Sequence, residues 1–206
     1  MAIKSNVTTP LRKETYKSLQ LNAGVMLVGL DLDDYDNAAA LKAALATEIQ
    51  DGTNLMGATR GGGTFNITRD IRQVEADGVR SAFVGSEIVD SADAYLSTTI
   101  LEITPEHVQK ILGNADIDRT KPGHVVMTIR MAIDDADYLP SIVWVGDTSE
   151  GFMAIELLNA FNTADFAFTF ADKNEGTASV EFHAHQEDVS SNDTIPCKLH
   201  WFSDPT

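Results

Sequence analysis

This chain lacks most of what would give an enzyme or a membrane protein away. It has one cysteine, Cys197, so no disulfide can close within it, and a lone thiol fits a reducing cytoplasm. The ordinary use of such a cysteine is as a small apolar residue buried in a strand. No apolar run approaches the ~18 residues of a membrane-spanning helix. The start, Met1-Ala2-Ile3-Lys4-Ser5-Asn6, has no apolar core, so no secretory leader is expected. No Gly-x-Ser-x-Gly elbow is present, and the many acids make no single carboxylate pair informative. No repeat of about 20–50 residues is visible. Basic charge is scarce, with 15 Lys and Arg against 31 Asp and Glu, a net charge of −16. A protein that grips nucleic acid needs a basic patch to release counterions from phosphates, and the body of this chain has none.

What is there fits 206 residues of one domain with an arm, and 43% hydrophobic content allows a sizeable core. The charge is uneven. Residues 1–20 carry Lys4, Arg12, Lys13 and Lys17 against Glu14 alone, whereas residues 131–206 hold fourteen acids and two bases. A basic arm therefore precedes an acidic body. We expect an arm over residues 1–22 and a single folded unit over 23–206, with loops at about 50–63 and 85–93.

Periodicity predicts a buried strand over 25–30 and a helix over 38–46, with Asp33, Asp34 and Asp36 at its N-terminal end. The glycines between residues 50 and 63 predict a flexible loop. Strands are predicted over 65–74 and 79–84, joined by an Asp77-Gly78 turn, and again over 95–103. Thr104, Pro105 and Glu106 open a helix with Val108, Ile111 and Leu112 on one face, and Gly113 ends it. Residues 114–123 read as a polar loop. Beyond it the chain reads as nearly all β, with strands at 124–133, 139–146, 152–161, 164–171, 177–186 and 195–202. The clearest alternation sets Val180, Phe182 and Ala184 against Glu181, His183 and His185. The predicted class is mainly β, a sandwich or barrel with flanking helix.

Three constellations were weighed for chemistry. Gly57-Ala58-Thr59-Arg60-Gly61-Gly62-Gly63-Thr64 nearly fits a phosphate loop, but Gly63 stands where the lysine belongs and a strand follows instead of a helix. Asp31-Leu32-Asp33-Asp34-Tyr35-Asp36 has calcium-loop acids without the sixth-place glycine or twelfth-place glutamate, so helix capping is expected. His183 and His185 could hold zinc with a third ligand such as His200, though a hydrogen-bonded polar face beside Glu181 and Glu187 is the ordinary outcome. No catalytic residue, metal or cofactor is expected.

Four patterns in fixed order carry a resemblance. They are Leu55-Met56-Gly57-Ala58-Thr59-Arg60-Gly61-Gly62; Val74-Glu75-Ala76-Asp77-Gly78 with Gly85; the junction Leu101 to Leu112; and a tail-end set. That set holds Ala160-Phe161-Asn162, Asp172-Lys173-Asn174-Glu175, Phe182-His183-Ala184-His185 and Ile195-Pro196. Across roughly residues 50–203 the chain resembles the tail tube, or major tail, proteins of long-tailed bacteriophages. The Ala-rich helix at 38–46 is a departure from that pattern.

The resemblance implies a virion structural protein, made in the host bacterial cytoplasm and residing in the tail. It implies six-membered rings stacked into a hollow tube that delivers DNA. Expected partners are further copies of the chain, a tape-measure protein, and tail-tip or baseplate and terminator proteins, with no membrane insertion. DNA would slide past an acidic bore without tight binding, with Glu102 and Glu156 as the candidate lumen acids. Lys4, Arg12, Lys13 and Lys17 of the arm and Arg60, Gly61, Gly62 and Gly63 of the loop would touch neighbouring subunits. The alternatives are a capsid-decorating protein, a tube protein of a contractile injection or type VI-like secretion machine, or a small-molecule-binding β-barrel.

Overall fold

A computed structural model describes residues 19–20, 22–75, 77–78, 80–189 and 193–203. Lys4, Arg12, Lys13 and Lys17 lie outside the described residues. In chain order the elements are β1 (Val25–Val28), α1 (Ala38–Asp51), β2 (Thr59–Gln73), β3 (Glu87–Ile100), α2 (Pro105–Leu112), β4 (Ala115–Lys121) and β5 (His124–Ile129). There follow β6 (Leu139–Thr148), β7 (Gly151–Asn162), β8 (Ala167–Thr169), β9 (Thr177–His183) and β10 (Cys197–Ser203). Short 3-10 turns cover Leu32–Asp34 and Asp135–Asp137. The protein is mainly β with two helices, as the sequence predicts.

The strands run β1-β6-β7-β9-β3-β2, with β10 added to β7 and β8 to β9, while β4 and β5 form a separate hairpin. The long strand β7 joins the two halves. Its first part pairs with β10, and its end pairs with β9 at Phe161 opposite His183. The halves then close over one core because alternate residues of each strand are apolar. Met26, Ile142, Ile155 and Leu157 come from one half, and Ala94, Leu96, Ile100, Val180 and Phe182 from the other. Ile111 of α2 joins this core from the side.

The reverse face of the first half is also covered. Leu27, Val143, Val145 and Ala154 pack against Leu41 and Leu45 of α1 and Leu32 of the turn before it. The helix begins at Asn37, whose side chain accepts from the Ala40 amide at 2.9 Å, and ends at Gly52 with φ +75°. It is thus longer than the Ala-rich run. Its cap is Asn37, not the preceding acids; Asp31 caps the 3-10 turn through the Asp33 amide. The α2 prediction holds in detail. The Thr104 hydroxyl accepts from the His107 amide at 3.2 Å, Pro105 opens the helix and Gly113 closes it.

Four local expectations are corrected. The glycine stretch is loop only in part: residues 52–58 lie outside the helices and strands as expected, but β2 starts at Thr59, and a register shift between Thr59 and Gly63 absorbs the extra residues as a bulge. Gly61 and Gly62 sit at φ +79° and +75°, and the Thr98 hydroxyl donates to the Gly62 carbonyl at 2.8 Å. Of the strand predicted over 79–84, residue 79 lies outside the described residues and 80–84 form no strand. The chain loops from Val74 to Ser86, tied by the Val74 amide on the Ser86 carbonyl at 2.8 Å, and the return strand begins at Glu87. The loop predicted over 85–93 is therefore the first half of β3. Residues 115–121, predicted as loop, pair with β5 as a hairpin; β4 itself is mostly polar and largely exposed.

Candidate assembly surfaces

The hairpin of β2 and β3 is paired from Thr59 opposite Ile100 out to Gln73 opposite Glu87. Cross-strand partners share a face, so Phe65 with Leu96 looks into the core, while Ile67, opposite buried Ala94, is already 39% exposed. Four residues further out, past a register shift between Asp70 and Ile71, Ile71 stands opposite Val89, and alternation along β2 keeps Ile71 on the face of Phe65 and Ile67. The core has ended by then: Ile71 is 49% and Val89 51% exposed. The outer part, Thr68 to Gln73, is exposed along its whole length and spans about 20 Å at strand rise. Its loop carries Val74, Phe83 and a fully exposed Val84. An apolar stripe thus runs off the end of the core onto a projecting arm. Charges line the arm as well, and Arg72 Nε meets the Asp90 carboxylate at 2.8 Å.

A second surface lies where the glycine bulge faces β6 and β7. It is a cleft of about 430 Å³ with a floor of Met26, Phe65, Leu96, Trp144, Met153 and Ile155. The Trp144 indole donates to the Ala23 carbonyl at 2.8 Å. Gly24 and Gly146 let the ring lie flat, since a Cβ at either would come within 2.4 Å of it. Just beyond, on the same side of β10, Leu199 and a 69% exposed Trp201 extend the apolar surface. Among the described residues, β2, β8 and β10 each have one strand partner, so their outer edges are open.

The third surface is the β4–β5 hairpin, with Val125, Val126, Ile129 and then Met131 outward. Arg119 pairs with Glu106 of α2. Arg130 binds Asp134 and Asp137 and lies 3.3 Å from Asp116. The Asp137 hydrogen bond, foremost, holds the guanidinium above its ordinary pKa. These ties fix the hairpin to the body while its apolar residues stay in water.

The singled-out residues fall in different places. Arg60 leaves the bulge to meet Glu175 at 2.5 Å, which holds that carboxyl below its usual range. Glu102 follows β3 instead of lying within it; it is exposed and accepts from the Ala58 amide at 3.1 Å. Glu156 corrects the expectation of a bore-facing acid, because it is only 3% exposed. Its face of β7 is the one that α1 covers.

The three histidines do not converge. His183 stacks on Tyr95 and is bracketed by Asp93 at 2.7 Å and Glu181 at 3.1 Å. His185 bonds to the Asn159 backbone, and His200 lies on β10 beside Glu156. Among the described residues no three His, Cys, Asp or Glu are grouped to hold a metal ion. Cys197 packs against the main core, and burial pushes its thiol up. Sequence reasoning missed the cleft and the buried Glu156 pair. Both arise from segments far apart in the chain, and no local pattern marks them.

No family model matches the chain, and no curated protein does. Solved structures resemble it loosely, two of them as follows. A chain of the virion of a native gene transfer agent particle is 11% identical with a TM-score of 0.40, covering 82% of this chain and 95% of that one. A chain of the tail of an empty gene transfer agent particle, of C6 symmetry, is 8% identical with a TM-score of 0.37, covering 80% and 92%. Neither likeness carries the functional argument, which rests on the surfaces above.

Proposed function

We propose that this chain is a structural subunit of a phage-type tail tube, assembling as stacked six-membered rings around a conduit for DNA. The observation that carries the reading is the apolar stripe of Ile67, Ile71 and Val89 running past the core onto a projecting hairpin. A monomer gains nothing by extending a core face into water; a neighbour that covers it gains about 25 cal/mol per Å² of apolar area. The arm and the Trp144 cleft are unlike surfaces. Unlike surfaces meet head to tail, and such contacts either close a ring or repeat without end. The open edges of β2, β8 and β10 give further places for neighbours to pair.

In this reading residues 1–22 are an arm whose Lys4, Arg12, Lys13 and Lys17 meet acidic surfaces of adjacent copies. Gly61 to Gly63 line the Trp144 cleft, and with Arg60 they would touch neighbouring copies. The net charge of −16 keeps DNA phosphates from sticking in the bore, and exposed Glu102 remains a candidate lumen acid. Length is set by a tape-measure protein, with tip and terminator proteins at the ends, and the chain works in the virion tail without catalysis.

Negative-stain electron microscopy at rising protein concentration, with and without tail-initiation partners, tests the reading. Hollow tubes or rings of one diameter support it. Trimers on a capsid surface would replace it with the decorating alternative, and a persistent monomer with the partners present would end it.

A further inference from the structure

The most unusual chemistry in the fold lies away from the assembly surfaces, on the side of β7 that α1 covers. Glu156 points into that layer with its side chain 4% exposed, and His200 of β10 lies beside it with 16% exposed. Glu156 Oε2 and His200 Nε2 are 3.4 Å apart, both buried, and neither has a hydrogen-bond partner. Buried polar atoms are nearly always paired, and leaving one unpaired is costly.

The surroundings do not fill the gap. On β10, Lys198 Nζ lies 3.7 Å from the same Oε2, but its hydrogen bond goes to Asp33 at 2.5 Å. The turn before α1 adds Asp31 and Asp33, whose negative charge favours a proton on the cluster. Opposite Glu156, β6 offers Val143, and α1 gives Leu41 and Leu45 to the adjoining apolar cluster. Phe202 stacks on the far side of the His200 ring at 5.9 Å.

With the carboxylate ionised and the neutral imidazole carrying its proton on Nδ1, two lone pairs face each other across the gap. One proton on either atom turns the gap into a donor and an acceptor, and a charge-assisted bond would close it to about 2.7–2.9 Å. We propose that Glu156 and His200 form a proton-linked latch that fastens the last strand, β10, to β7. The latch tightens as pH falls. Burial, outweighing the opposing pull of Lys198 and His200, raises the Glu156 carboxyl above its ordinary 4.5. The folded chain therefore holds this proton more tightly than the unfolded chain. The stability it contributes is present at low pH and is lost as pH rises through the raised value. The latch stands independently of the tube reading, although β10 also carries Leu199 and Trp201 outward.

The test is thermal melting of the full chain at pH 5.5 and 7.5, comparing wild type with Glu156→Gln, His200→Gln and the double variant. The latch predicts that either single change removes roughly 2–4 °C of the gain on acidification. The double variant should remove no more than one of them. Unchanged pH slopes in both single variants, or additive losses, would overturn it. Should a variant fail to fold, long-range proton–nitrogen NMR on the wild type decides. Nε2 of His200 and the Glu156 carboxyl carbon must shift together with pH, and independent titrations would sink the latch.

Discussion

The inner and outer halves of the β2–β3 hairpin share one ladder and have opposite surroundings. Inside, Leu96 is 4% exposed and Ala94 fully buried, both in the core with Val180 and Phe182 of the neighbouring strand β9 and with Ile155 and Leu157 of β7. Outside, past a register shift after Asp70, Ile71 and Val89 still pair across the ladder and stand in water. Backbone pairing therefore does not explain the outer half. A two-stranded ribbon alone is marginal in water, so an arm that keeps its apolar face is built for something to cover it. The inner half supplies stability to the monomer; the outer half supplies affinity for a neighbour.

Substitutions can break that division, and the largest effect belongs to the inner half. Leu96→Ala should cost about 2–5 kcal/mol in denaturant melts, because the close-packed layer around Phe182 cannot collapse onto the space. At the hinge of the hairpin, Gly63→Ala brings a Cβ to 2.8 Å from the Ser97 carbonyl oxygen. It should cost about 1–3 kcal/mol by the same assay, as overpacking does. Thr104→Ala, which removes the α2 cap, should cost about 1 kcal/mol. The outer half should show the smallest change in stability. Ile71→Ser with Val89→Ser should shift the monomer by under about 0.5 kcal/mol. In sedimentation, the same pair should reduce self-association at least tenfold, equivalent to about 1.4 kcal/mol of lost contact. A large stability loss from that pair would erase the distinction.

Much of this architecture was legible in the chain where local signals and tertiary demands agree. Val180, Phe182 and Ala184 alternate because both sides of β9 have fixed environments, and Thr104-Pro105 with Gly113 bounds α2 by capping chemistry alone. The glycines at 61–63 misled because a glycine cluster marks a bulge as readily as a loop; only the ladder beyond it decides. Residues 79–84 look like a strand by composition, yet the register set by Gln73 opposite Glu87 leaves the described ones, 80–84, in the loop. The polar strand β4 carries no core face, so periodicity had nothing to report. Glu156 is the most instructive case. Between Ile155 and Leu157, alternation correctly turns it away from the main core. That α1, more than a hundred residues upstream, covers its face is a tertiary fact no window reveals. The four arm cations lie outside the described residues, so their contacts remain part of the proposal.

The central claim is that the outer hairpin exists to join copies of this chain. The most direct measurement is negative-stain microscopy of wild type and the Ile71→Ser, Val89→Ser variant, side by side at matched concentration with the same initiation partners. The account predicts uniform hollow tubes from the wild type and dispersed, folded monomers from the variant. Equal tubes from both, or monomers from the wild type under every condition, would contradict it.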